Sequence, residues 1–166
     1  MSMIEETQYV LQQKLVSLGI NFTITDVEGS EAFQVKGEAA SIGDKLSLQD
    51  PDGNELVYIE QQSFNCYQLS RDGRHLADIS RDLMSFRRRR FTIGMSGPDD
   101  LEAIGDILSF EYVVKRGDRK IATFTRQWFR LSDTYFIQIH DPQADQALVL
   151  AIAVVIEVVV HGRHNY

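Results

Sequence analysis

Arg87, Arg88, Arg89 and Arg90 follow one another without a break and form the strongest charge feature of the chain. Guanidinium forks match the oxygens of phosphate and carboxylate, so the available chemistry is anion recognition, with phosphoinositide or acidic lipid headgroups as candidate ligands. If the run begins a strand, Arg87 and Arg89 face one way while Arg88 and Arg90 face the other. The competing reading is a solvated strand edge that pairs with the chain's many acidic residues and discourages aggregation. Glu157 is the second feature, a lone carboxylate inside the apolar stretch 148–160. A carboxylate enclosed by aliphatic groups needs a cationic or hydrogen-bonding partner. Arg81 and Arg126 occupy equivalent places in an internal repeat and are the candidate partners. All three are read as structural buried charge.

Other chemistry-bearing spacings fail on inspection. His161 and His164 have a spacing usable for a metal, but no cysteine or nearby carboxylate accompanies them, and a disordered terminus or helix-end capping explains them better. Residues 37–45 run Gly-Glu-Ala-Ala-Ser-Ile-Gly-Asp-Lys, one residue too long for a phosphate loop, with Leu46 where Ser or Thr is required. Residues 50–54 resemble the start of a calcium loop, but Gly53 comes too early and Gln61 stands at position twelve. Residues 116–118, Arg-Gly-Asp, read as a turn. No G-x-S-x-G elbow and no convincing Ser/His/Asp set occurs, so no catalytic residue is assigned and the reading leans away from an enzyme. Neither a metal nor a cofactor is expected. Cys66 is the single cysteine, which rules out an internal disulfide, and its neighbours Phe64 and Tyr67 favour an inert packed thiol.

The elements that hold these residues follow from composition and patterning. A chain of 166 residues fits one domain, here 1–166 with a core over about 8–160. With 17 basic against 24 acidic side chains the net charge is −7, which argues against nucleic-acid binding and confines any anion site to a local patch. The first residues lack a basic stretch followed by an apolar run, so no signal peptide is expected and a cytoplasmic location is the default.

Four segments share one pattern: an apolar anchor, Gln or Arg two residues later, then an aromatic-led strand. Leu11 and Gln13 lead to Phe22; Ile59 and Gln61 to Tyr67; Ile79 and Arg81 to Phe91; Phe124 and Arg126 to Tyr135. Gly53, Gly73 and Gly117 stand where tight hairpins need positive φ. Short alternating strands punctuated by such turns predict an antiparallel sandwich or barrel. Residues 8–18 also suit an amphipathic helix, but their match to the repeat favours a strand.

Residues 148–160 are apolar on every side except at Glu157. As a helix they span about 20 Å, short of the roughly 30 Å hydrocarbon core of a bilayer, so no transmembrane segment is expected. A helix apolar all round must be buried all round, and a closed barrel supplies that enclosure. Asp141 and Asp145 suit its start, while His161, Gly162 and Arg163 suit its end.

Residues 33–37 (Phe-Gln-Val-Lys-Gly), 41–46, 50–56 and 58–61 resemble the first half of the LURP-one-related family. Gly105 and Asp106, Trp128 and Phe129, residues 133–135 and the apolar C-terminal run resemble its second half. The resemblance covers about residues 8–160 in order. It implies the tubby C-terminal-like fold, a closed antiparallel barrel of about twelve strands around a central hydrophobic helix. It also implies basic runs like that at 87–90, favouring the solvated edge, and no established catalytic residues. Related branches, tubby proteins and phospholipid scramblases, act on lipids; that is analogy at the level of fold. The leading expectation is a non-enzymatic binding or scaffold domain at an anionic membrane surface. A protein-interaction module comes second, and a small-molecule carrier or enzyme with a barrel-mouth site third.

Overall fold

In the computed structural model, which describes residues 6–14, 21–38, 43–83, 88–96, 99–106, 111–127 and 134–161, the repeat resolves into hairpins. The pairs are β1 (Thr7–Lys14) with β2 (Asn21–Thr25), β3 (Glu31–Gly37) with β4 (Lys45–Gln49), and β5 (Glu55–Ser63) with β6 (Cys66–Arg71). They continue as β7 (Arg74–Arg81) with β8 (Arg88–Met95), β9 (Leu101–Asp106) with β10 (Glu111–Arg116), and β11 (Arg119–Gln127) with β12 (Thr134–Ile139). Every neighbouring pair is antiparallel and β12 returns to β1, so the sheet closes into a twelve-stranded barrel. One helix, α1 (Gln146–His161), follows among the described residues. The ambiguous N-terminal stretch contributes strand β1, as its match to the repeat favoured.

The cross-strand register explains the repeat and extends it from four units to six. Leu11↔Ile24, Val35↔Leu48, Ile59↔Leu69, Ile79↔Ile93, Ala103↔Val114 and Phe124↔Ile137 are paired, one pair per hairpin. Each of these side chains is 1% exposed or less. Two residues nearer the connecting loop, on the same inward face, the second rung reads Gln13↔Phe22, Gly37↔Leu46, Gln61↔Tyr67, Arg81↔Phe91, Gly105↔Tyr112 and Arg126↔Tyr135. The two hairpins that hid from the sequence pattern carry Gly37 and Gly105 where the others carry Gln or Arg.

Successive hairpins are staggered alike. Phe22 faces Val35, Leu46 faces Ile59, Tyr67 faces Ile79, Phe91 faces Ala103, Tyr112 faces Phe124, and Tyr135 faces Leu11. A constant two-residue offset tilts the strands and closes the barrel evenly. On β12 the inward residues are Tyr135, Ile137 and Ile139, so Phe136 and Gln138 share the outer face.

A barrel this wide needs filling, and α1 fills it. Its sixteen residues extend about 24 Å. Leu148, Leu150, Ile152, Val154, Val155 and Ile156 are buried on all sides of the helix. Eight β-branched residues in 148–160 each cost up to about 0.7 kcal/mol of helix propensity. Burying a large aliphatic side chain yields about 1.5–3 kcal/mol as an upper bound, so tertiary burial outweighs local preference. The start is capped by Asp145, which accepts from the Leu148 amide at 3.2 Å through its side chain and from the Val149 amide at 3.0 Å through its carbonyl. Arg71 then forks onto both Asp145 oxygens at 2.7 and 2.9 Å.

Candidate functional site

The helix starts beside the β6–β7 turn and runs toward the opposite end of the barrel, where the second rung forms a mouth. On one side, strands β7 to β12, that rung places Arg81, Tyr112, Arg126 and Tyr135 on the inner wall, with Arg89 joining them from the start of β8. Glu157 meets them from the helix and is only 3% exposed. Gly105 makes room: a Cβ there would lie 2.2 Å from the Tyr112 ring, so the ring occupies the space a side chain would take. Phe91 stands edge-on to the same ring, with centroids 6.2 Å apart.

The electrostatics follow from this enclosure. Burial pushes the Tyr112 phenol up; Arg89, whose Nη1 donates to the phenol oxygen at 3.5 Å, and Arg81 pull against it, while Glu157 adds to the rise. Burial also pushes Tyr135 far up, and Glu157 reinforces the rise by charge and by accepting the phenol's hydrogen bond, with Arg126 opposing. Both phenols therefore stay protonated donors. The other half of the mouth is different in kind. There Tyr67 donates to Asp44 Oδ2 at 2.7 Å, and the Asp44 amide donates to Gln61 Oε1 at 3.0 Å.

The model of LURP-one-related proteins matches residues 7–157. The chain belongs to the LURP-one-related family. It is 28% identical over 156 residues to the Bacillus subtilis protein YxjI, covering 92% of this chain and 93% of that one. The X-ray structure of an Arabidopsis thaliana protein superposes with a TM-score of 0.71 at 21% identity, over 95% of this chain and 93% of the other. That likeness establishes the barrel-and-helix fold. No helix among the described residues is long and apolar enough to cross a membrane.

In this LURP-one-related chain the arginine run is divided by the strand pleat. Arg89 turns inward to Tyr112, whereas Arg90 points outward, its Nε 2.7 Å from Glu102 Oε1. Arg87 and the side chain of Arg88 lie outside the described residues, as do Gly162, Arg163 and His164. Arg81, Arg126 and Glu157 converge on the two phenols. Tyr112 and Tyr135 escaped the sequence reading as site residues; the repeat marked the place of Tyr135, an aromatic two positions before a core aliphatic, but not that of Tyr112, whose hairpin it missed.

The rim of this mouth carries Phe64 and Leu83, 59% and 53% exposed. They sit on adjacent connections, since the Arg81 amide donates to the Asn65 carbonyl at 2.9 Å and the Asp82 amide to the Arg90 carbonyl at 2.8 Å. On the outer wall, Thr123 Oγ1 lies 2.8 Å from His140 Nε2, and His140 Nδ1 lies 3.0 Å from Glu6 Oε1. This hydroxyl–imidazole–carboxylate row has the order of a nucleophile relay. Thr123 is largely buried, with 9% of its surface exposed. At the helix-start end an open hollow of about 540 Å³ is lined by Arg71, Asp72, Arg74, His75 and Leu76. Arg71 is committed there to Asp145, and His75 lies between Asp78 at 2.9 Å and Ser96 at 2.7 Å.

Proposed function

We propose that this LURP-one-related chain is a non-enzymatic binding domain that docks on anionic membrane surfaces through the rim of its basic mouth. The observation that carries this reading is the pair Phe64 and Leu83, two large apolar side chains exposed on adjacent connections at the end that bears Arg81 and the arginine run. Apolar groups of that size inserted among headgroups, with cations beside them, combine area-dependent and electrostatic attraction. The filled interior supports a surface role over a carrier role, because residues of α1 occupy the barrel axis. The pairing of Arg90 with Glu102 is between exposed groups and is weak enough for an anionic surface to displace.

Vesicle sedimentation tests the reading. The protein should pellet with phosphatidylcholine vesicles containing phosphatidylserine or phosphatidylinositol bisphosphate and stay in the supernatant with phosphatidylcholine alone. Phe64→Ala/Leu83→Ala should weaken binding by at least about tenfold, since each lost large apolar contact is worth roughly 1–2 kcal/mol. Raising the salt should weaken it further. Equal pelleting with neutral and anionic vesicles, or none with either, would remove the proposal.

A further inference from the structure

The second rung of the barrel contains its own control experiment. Six hairpins place a residue at the same inward position, and the fold accepts Gln13, Gly37, Gln61 and Gly105 there as readily as Arg81 and Arg126. A guanidinium is thus no requirement of that position. One face of the barrel nevertheless gathers three of them. Arg81 and Arg89 act on the Tyr112 phenol and Arg126 acts on the Tyr135 phenol, while Glu157 is the single anionic group acting on both. Three arginines elsewhere each meet one carboxylate: Arg71 with Asp145, Arg90 with Glu102, Arg119 with Asp141.

Enclosing Glu157 accounts for about one of the three charges. The C-terminal end of α1 offers the equivalent of about half a negative charge more. Among the described residues a cationic excess remains on this side of the mouth, in a partly buried setting where charge interactions are stronger than in water. We infer that Arg81, Arg89 and Arg126, with the protonated phenol of Tyr112 as a further donor, form a site at the barrel mouth for a phosphate monoester dianion. Planar guanidinium groups present paired N–H donors that match phosphate oxygens. The phosphate can belong to a lipid headgroup or to a free ester; the site itself stands on the mouth geometry, and only the lipid source rests on the membrane reading above.

The test uses the full chain and two probes, soluble inositol trisphosphate and vesicles containing phosphatidylinositol bisphosphate, with titration calorimetry and sedimentation as readouts. Wild type should bind the soluble ester. Arg81→Gln and Arg126→Gln should each weaken it by about tenfold, the scale of one charge-assisted hydrogen bond, whereas Arg90→Gln on the outer face should change it less than about twofold. Glu157→Gln keeps the shape, removes the competing anion and should tighten binding by about tenfold. A merely structural Glu157 would not produce that gain. Should Glu157→Gln fail to fold by circular dichroism, the arginine variants decide. No binding of the ester by wild type, or equal binding by Arg81→Gln and Arg126→Gln, overturns the site. Vesicle binding that survives those two substitutions but disappears in Phe64→Ala/Leu83→Ala overturns the mouth site and leaves membrane docking in place. Ester binding without vesicle binding does the reverse.

Discussion

At the helix-start end, polar groups come in matched pairs. Asp145 caps α1 and holds Arg71, Tyr9 donates to Gln146 Oε1 at 2.6 Å, and Asp141 accepts from the Gln143 amide and pairs with Arg119. The β6–β7 turn beside them has positive φ at both Asp72 (51°) and Gly73 (74°), the two-residue turn whose twist suits a hairpin. On one side of the other end, along β7 to β12, three arginines and two phenols stand around one carboxylate. The first end fixes where the helix begins through these one-to-one partners. On the side of β7 to β12 the second holds more cation than Glu157 needs, and the proposed phosphate site rests on that surplus.

The steepest way to break this contrast is through its glycines. Gly105→Val should destabilise the protein by about 3 kcal/mol or more, because the new side chain must displace the buried Tyr112 ring rather than enter free space. Gly53→Ala in the β4–β5 turn is the matching change at the opposite end. Its φ is 88° and nothing lies within 4 Å of an added Cβ, so only backbone strain is expected, about 1 kcal/mol. Urea denaturation compares the two. Equal losses would mean that the mouth is no more tightly packed than an open turn.

Next in size comes the helix cap. Asp145→Ala removes the Leu148 contact and the Arg71 pair, for an expected loss of about 1–2 kcal/mol, mostly from the cap because the pair is partly exposed. Burial alone would raise the Asp145 carboxyl, but Arg71 and the amides of Leu148 and Ala147 outweigh it and hold its pKa below the ordinary value. A folded pKa below the unfolded one stabilises the protein above the unfolded value, about 3.9, and the benefit disappears as pH falls through the folded value. Wild type should therefore lose stability faster than Asp145→Asn as pH drops below about 4. Parallel acid-denaturation curves for the two proteins would contradict the assignment.

Much of this contrast is visible in the sequence because periodicity survives where packing is uniform. The anchor, polar, aromatic order of Leu11, Gln13 and Phe22 repeats at residues 59–67, 79–91 and 124–135, and the apolar run 148–160 specifies an enclosed helix. Two hairpins stayed hidden because Gly37 and Gly105 stand where the pattern shows Gln or Arg. The mouth was only half legible. Arg81, Arg126 and Glu157 could be linked through the repeat and through the cost of burying a carboxylate. Arg89 could not be separated from Arg90 as a ligand, since composition is blind to which face of a strand turns inward. Nothing in the sequence sets Tyr112 and Tyr135 apart as site residues; only the register sets their phenols near a helix carboxylate.

The finest contrast lies within β8, between two neighbouring arginines. Arg90 pairs with Glu102 while both side chains are about half exposed, so Arg90→Gln should cost about 0.5 kcal/mol or less. That cost should vanish in about 1 M salt, where the screening length falls to about 3 Å. Arg89 contacts a phenol that is itself buried, so Arg89→Gln weakens an interaction that bulk ions reach poorly, and about 1 kcal/mol should be lost with little change on adding salt. Thermal or urea unfolding of both variants at low and high ionic strength measures the difference. If the two losses are equal and salt erases both, the inward and outward faces of β8 are electrostatically alike, and the distinction between a basic mouth and an ordinary solvated strand edge collapses.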